Sequence, residues 1–263
     1  MPNPVAFTIA NIDIRWYGIL ITFGMLLALG LSYRNAHRHQ IDKECLLDLF
    51  LAIIPAGIIG ARLYYVLFQW SYYSEHLNEI FLIRNGGLAI HGGLIFGVVA
   101  GYLVCRHKNI KTLEMTDLVF PNVALAQAIG RWGNYFNGEA HGGPTDLPWG
   151  IMVDGVKVHP TFLYESLWCL GLFVLLTFLD RKPHFSGQIT CLYCILYSIE
   201  RFLVEGLRTD SLMIGPFKQA QLLSVTVAVI GIIAFFALKK SAGEKGAARA
   251  QMLAEKNKKE KTR

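Results

Sequence analysis

The chain has 263 residues, of which 53% are hydrophobic and 17% charged, with a net charge of +6 at neutral pH. An ordinary soluble domain carries about 25% charged residues, so the composition excludes that class and points to an integral membrane protein. The positive charge does not form a nucleic-acid surface, because nine of the 25 basic residues lie at or beyond Lys239 and most others sit in short links.

A membrane-spanning helix takes about 20 apolar residues. Seven segments fit: 16–33, 46–69, 88–105, 114–132, 160–179, 187–206 and 217–238. Lipid cannot satisfy open backbone groups, and no barrel-like alternation is present. The expectation is therefore an all-α, polytopic fold with about seven transmembrane helices. The first segment has no basic region before it and reads as a span rather than a cleavable signal. The link 70–87, "WSYYSEHLNEIFLIRNGG", carries aromatic residues suited to the headgroup level. The fourth segment is the least apolar. Asp117, Asn122, Gln127 and Arg131 keep it from facing lipid all round. The link 133–159 is the longest and is rich in Gly and Pro. No repeat or low-complexity linker divides the chain, giving one membrane domain (1–238) and a basic tail (239–263). The tail is expected to be disordered or to lie on anionic lipid as an interfacial helix.

Charge sets the orientation, because cytoplasmic links collect Lys and Arg. Arg34, Arg38, Lys43, Arg106, Lys108, Lys111, Arg181, Lys182 and the nine tail residues fall on one side, against Arg15, Arg84, Lys157, Arg208 and Lys218 on the other. The N-terminus is thus expected outside and the C-terminus in the cytoplasm. The five cysteines lie in or beside apolar segments. Cys191 and Cys194 form a CxxC inside an expected membrane helix, where apolar packing is the reading.

Ionisable groups inside spans mark function when they converge. Here several segments deliver them to the outer leaflet. His91 opens the third segment, Arg131 and Asn134 close the fourth, Tyr164 and Glu165 open the fifth, and Arg201 and Glu205 end the sixth. Tyr17 starts the first. Tyr197, Arg201, Glu205 and Arg208 share one helical face by their spacing. A structural reading stands beside this one. Arg201 and Glu205 make an internal ion pair, Arg62 finds Glu44 or Asp48, and His91 is a packed histidine. His37, His39, His76, His107 and His184 lie in or near links and read as uninvolved. No zinc, phosphate-loop or serine-hydrolase motif is present. Two arginines in a low-dielectric site suit a phosphate, and the phosphate most available there is a phospholipid headgroup. The residues alone leave the chemistry open. A lipid or anionic-solute transporter is the alternative, and an intramembrane protease is a third class without a visible catalytic pair.

The stretch "GRWGNYFNGEAHG", residues 130–142, closely resembles the signature of the prolipoprotein diacylglyceryl transferase family. "RWYG", "GARLYYVLF", "GGLAIHGGL", "HPTFLYE" and "RFLVEGLR" match other landmarks of that family in order, and only the tail falls outside the resemblance. The resemblance implies a seven-helix, N-out enzyme of the bacterial cytoplasmic membrane. Its reaction moves the diacylglyceryl group of phosphatidylglycerol to the lipobox cysteine of preprolipoproteins. A thioether forms and glycerol-1-phosphate leaves, in the first step of lipoprotein maturation. No metal, cofactor or nucleic acid is implied. By position, His91 is the candidate base, Arg131 the headgroup-phosphate ligand and Asn134 an orienting residue. Glu139 and Gly142 complete the signature. Arg201 serves the leaving phosphate or orients the lipid, Tyr17 matches the N-terminal tyrosine, and Glu165, Tyr197 and Glu205 orient the arginines. An arginine or tyrosine acting through a network is the alternative base.

Overall fold

The computed structural model describes residues 2–10, 12–83 and 86–261, with backbone only for 246–261. Arg84 and Arg263, both counted in the charge asymmetry, lie outside the described residues. In chain order the elements are a hairpin of β1 (Val5–Ile9) and β2 (Ile12–Arg15), α1 (Trp16–Asn35), α2 (Lys43–Phe68), the short α3 (Trp70–Tyr73), α4 (Ile90–His107) and α5 (Thr112–Asn137). Then come a hairpin of β3 (Ile151–Val153) and β4 (Val156–Val158), α6 (Thr161–Leu179), α7 (Gln188–Leu207), β5 (Met213–Ile214) with β6 (Phe217–Lys218), and α8 (Gln219–Lys261).

The chain is mostly helical, and each of the seven expected segments falls on a long helix. Among the described residues, five helical stretches are long and apolar enough to cross a membrane: Trp16–His39, Lys43–Phe68, Ile90–His107, Thr161–Leu179 and Gln219–Lys245. The other two long helices, α5 and α7, carry Arg131 and Arg201 with other polar groups. The fold is not purely helical. Among the described residues, three two-stranded antiparallel sheets form, one before α1 and two in links between helices. In β3–β4 the Asp154-Gly155 turn has φ of +48° and +83°, the mirror-image turn whose twist suits a hairpin. "IMVDGVKV" carried that signal in the sequence.

The chain divides into two compact units, Leu29–Met115 and the remainder. In the first of these, α2 and α4 lie in backbone contact. A Cβ at Gly60 would collide with Phe96 and stand 2.6 Å from the Gly92 carbonyl, so only glycine permits the approach. The Ala89 N–H donates to the Ala61 carbonyl across the pair at 3.0 Å. Arg62 is not an ion-pair partner of Glu44 or Asp48. It follows Asp48 by nearly four turns of α2, about 20 Å along the axis, and Asp48 instead pairs with Lys108 at 2.5 Å. The Arg62 guanidinium donates to the carbonyls of Glu79 (2.7 Å), Ile80 (2.8 Å), Gly86 and Gly87 (both 3.0 Å). It therefore ties down the link that leads into α4.

The other unit packs α5, α6 and α7 around Ala124, Leu172, Leu176 and Ile189. Asp117, 2% exposed on α5, accepts from the N–H groups of Gly187 (2.6 Å) and Thr190 (2.7 Å). A carboxylate from a neighbouring helix thus satisfies donors at the start of α7, where the helix dipole favours negative charge. The C-terminus of α7 is closed in the opposite sense. The Lys218 ammonium donates to the carbonyls of Glu205 and Arg208, both at 2.7 Å.

Candidate active site

The C-terminal ends of α5 and α7 meet the N-terminal end of α6, and charged residues from all three helices gather there. Glu165, in the first turns of α6, is 1% exposed. Its Oε2 lies 2.6 Å from Arg131 Nη2 on α5 and 3.5 Å from Arg201 Nη1 on α7. Arg201 Nη2 reaches Glu205 Oε2 at 2.7 Å, one turn further along α7, and Arg208 Nε stands 4.0 Å from the same oxygen. Arg131 also donates to the Tyr197 hydroxyl at 3.5 Å. Arg131, Glu165, Tyr197, Arg201 and Glu205 thus form one network.

The arrangement is graded in depth. The side chains of Glu165 and Glu205 are 1% and 4% exposed, whereas those of Arg131 and Arg201 are 20% and 19% exposed. The carboxylates hold the guanidinium groups while about a fifth of each arginine side chain stays exposed. The sequence suggested a cation-rich pocket; the structure shows that each arginine already has a buried counter-charge. An arginine held this way loses little rotamer freedom when it meets an anionic ligand, and its planar fork matches phosphate oxygens.

Packing fixes the helix ends. Trp132 Nε1 donates to Ser166 Oγ at 3.1 Å, and Ser166 donates to the Ala128 carbonyl at 2.8 Å, joining α5 to α6. After α5 the chain folds back on itself. The amides of Asn134 and Asn137 both donate to Glu139 Oε1, at 3.1 and 3.0 Å, so Glu139 braces the end of the helix. Gly142 is pinned by its N–H to the His159 carbonyl at 2.9 Å. A Cβ there would stand 2.7 Å from His159 Cβ and 3.2 Å from the Leu207 carbonyl. The signature glycine is thus required for the close approach of the 138–160 link to α7. Thr161 donates to the Ala140 carbonyl, and the Tyr164 hydroxyl accepts from Trp149 Nε1 at 3.0 Å. Tyr17, at the start of α1, packs on Gly133, where a Cβ would meet its Cδ2 at 2.6 Å.

His91 belongs to the unit built around α2 and α4. It lies in the first turn of α4, with its ring 6.0 Å from that of Tyr64. The other sequence candidates, Tyr17, Arg131, Asn134, Glu139, Gly142, Glu165, Tyr197, Arg201 and Glu205, all belong to the unit that holds the arginine network. Sequence reasoning passed over Ser166, Asp210, Lys218 and Glu200. Asp210 accepts two hydrogen bonds from Arg208, at 2.9 and 2.8 Å, and these hold its carboxyl below the usual carboxylate range. The "RTD" spacing carried that pairing. Nothing in the pattern revealed the Lys218 cap, because its acceptors are backbone carbonyls.

Comparison with known proteins agrees with the signature. The sequence profile described as prolipoprotein diacylglyceryl transferase matches residues 4–237. A phosphatidylglycerol–prolipoprotein diacylglyceryl transferase from Clostridioides difficile is 54% identical over 90% of this chain and 95% of its own length. Relatives of the same name from Finegoldia magna and Clostridium novyi are 52% and 49% identical, over 90% and 88% of this chain and 96% and 94% of their own lengths. The chain belongs to the prolipoprotein diacylglyceryl transferase family.

Proposed function

We propose that this protein transfers the diacylglyceryl group of phosphatidylglycerol to the lipobox cysteine thiol of preprolipoproteins. The observation that carries the reading is the Arg131–Glu165–Arg201–Glu205 array, two part-exposed arginines held on buried carboxylates in a chain of this family. The sulfur–carbon bond forms as the carbon–oxygen bond to phosphate breaks. The departing glycerol-1-phosphate takes the electron pair and gains negative charge. Arg131 and Arg201 meet that charge where it develops, which lowers the barrier more than it favours the ground state. A thiol is a weak nucleophile near its ordinary pKa of about 8.5, so a base must take its proton, and His91 is assigned that role. Asn134, Glu139 and Gly142 shape the headgroup side of the site, Tyr17 borders it, and Glu165, Tyr197 and Glu205 orient the arginines.

The same reading places the enzyme in the bacterial cytoplasmic membrane. All seven long helices span it, with the N-terminus outside and the C-terminus in the cytoplasm. α5 and α7 cross with their polar faces turned to protein. The basic tail, residues 239–263, is assigned to anionic lipid of the inner leaflet. The decisive experiment incubates purified protein with phosphatidylglycerol and a lipobox peptide and follows the peptide by mass spectrometry. A diacylglyceryl adduct is expected; its absence with intact lipid present defeats the proposal. Arg131→Ala is expected to lower turnover by about 100-fold or more, and Arg131→Lys to recover little of it, because a point charge lacks the fork. Near-normal turnover in Arg131→Ala would remove Arg131 from the phosphate role.

A further inference from the structure

Three buried carboxylate oxygens beside the arginine network have no hydrogen-bond partner: Oε1 of Glu165 and both oxygens of Glu200. Glu200 is 2% exposed on α7. It follows Tyr197 by three residues and shares its face of the helix. Its carboxyl group lies within electrostatic range of Glu165, Arg131 and Arg201, so it belongs to the same cluster. Buried polar atoms are almost always paired, and an unpaired carboxylate is costly to keep. Neither the family signature nor the other landmark motifs include Glu200.

Acceptors without donors, set beside guanidinium groups, describe a ligand with two chemistries in one headgroup. It has an anionic phosphate for the arginines and hydroxyl donors for the carboxylates. We propose that Glu200, together with Oε1 of Glu165, accepts hydrogen bonds from the hydroxyls of the phosphoglycerol headgroup and so selects the lipid that donates the diacylglyceryl group. The proposal rests on the transferase reading above and adds a residue that determines specificity. A site built to pair a hydroxyl discriminates strongly against an analogue that lacks it, because its own polar groups are then left buried and unpaired.

The test compares phosphatidylglycerol with phosphatidylpropanol, which keeps the phosphate and lacks the hydroxyls, and with phosphatidylethanolamine, each in vesicles with a lipobox peptide. The wild type is expected to favour phosphatidylglycerol over phosphatidylpropanol by at least about tenfold in kcat/KM, the cost of leaving one buried polar group unpaired. Glu200→Leu is expected to bring the ratio within about twofold, by losing rate on phosphatidylglycerol and keeping it on phosphatidylpropanol. Glu200→Gln retains a carbonyl acceptor and is expected between the two. Because Glu200 makes no hydrogen bond to the protein, its replacement strands no hydrogen-bonding group. An unchanged ratio in Glu200→Leu, an equal loss on both lipids, or wild-type use of phosphatidylethanolamine as good as that of phosphatidylglycerol would each overturn the proposal. Binding of free glycerol phosphate and propyl phosphate, measured calorimetrically on both proteins, reads the recognition without turnover. Absence of transfer with a Glu200-dependent binding preference intact would sink the transferase reading alone, whereas a preference that survives Glu200→Leu would sink this one.

Discussion

Glu165 binds two guanidinium groups through one oxygen while only 1% exposed, so removing its charge leaves Arg131 without its carboxylate and Arg201 with Glu205 alone. Breaking a buried pair costs about 3–5 kcal/mol, and the partial exposure of both arginines puts this case near the low end. Glu165→Gln is therefore expected to lower the thermal midpoint in detergent and to depress transfer about as far as Arg131→Ala does. Unchanged stability with full activity would show that Arg131 and Arg201 are held by other contacts. The membership of this network was legible before the structure, because charged residues in apolar segments have few alternatives to one another. Its internal pairing was not. Spacing along α7 gave Arg201 with Glu205, but Arg131 with Glu165 joins residues on different helices, and only packing decides which carboxylate lies behind which arginine. Glu200 escaped notice for the same reason: beside Arg201 in sequence it looks like half of an ordinary pair, and only its burial without a partner singles it out.

At the level of elements, α7 shows how a polar helix is made to stay in place. Asp117 closes its first turn and Lys218 its last, each a charge of the sign the helix dipole favours. The residues between include Tyr197, Arg201 and Glu205, so the alignment of the network depends on caps that touch no ligand. Lys218→Met keeps the length of the side chain and removes the donor, leaving α7 carbonyls unsatisfied at a cost of about 1–3 kcal/mol. The expected result is a lower thermal midpoint with a fall in kcat and little change in KM for lipid. A KM effect alone would instead make Lys218 a headgroup ligand. The long helices were readable from apolar runs. The hairpins between them were overlooked because a search for 20-residue runs is blind to three-residue strands, although "DG" between β-branched residues announced one of them. Arg62 misled for another reason. Its partners are main-chain carbonyls, which carry no sequence identity.

For the whole molecule, the proposed orientation connects charge distribution to chemistry. The lipobox cysteine of a secreted precursor and the outer-leaflet headgroup both require the helix ends that bear Arg131, Glu165 and Arg201 to face outward. The excess of Lys and Arg in the links at 34–43, 106–111 and 181–182 and in the tail requires the opposite ends to face the cytoplasm. The two requirements are independent, one from reaction chemistry and one from insertion energetics, and in the proposed orientation they agree on the polarity of α5, α6 and α7. Single cysteines placed in a cysteine-free background test both together. With a membrane-impermeant maleimide, Asp146→Cys in the link before α6 is expected to label in intact cells. Lys182→Cys in the link after α6 is expected to label only once the membrane is opened. Reversed labelling would put the arginine network on the cytoplasmic side, away from secreted substrates, and would overturn the orientation and the catalytic assignment at once. Labelling of both positions in intact cells would mean that α6 does not cross the membrane, and the seven-span arrangement would fall with it.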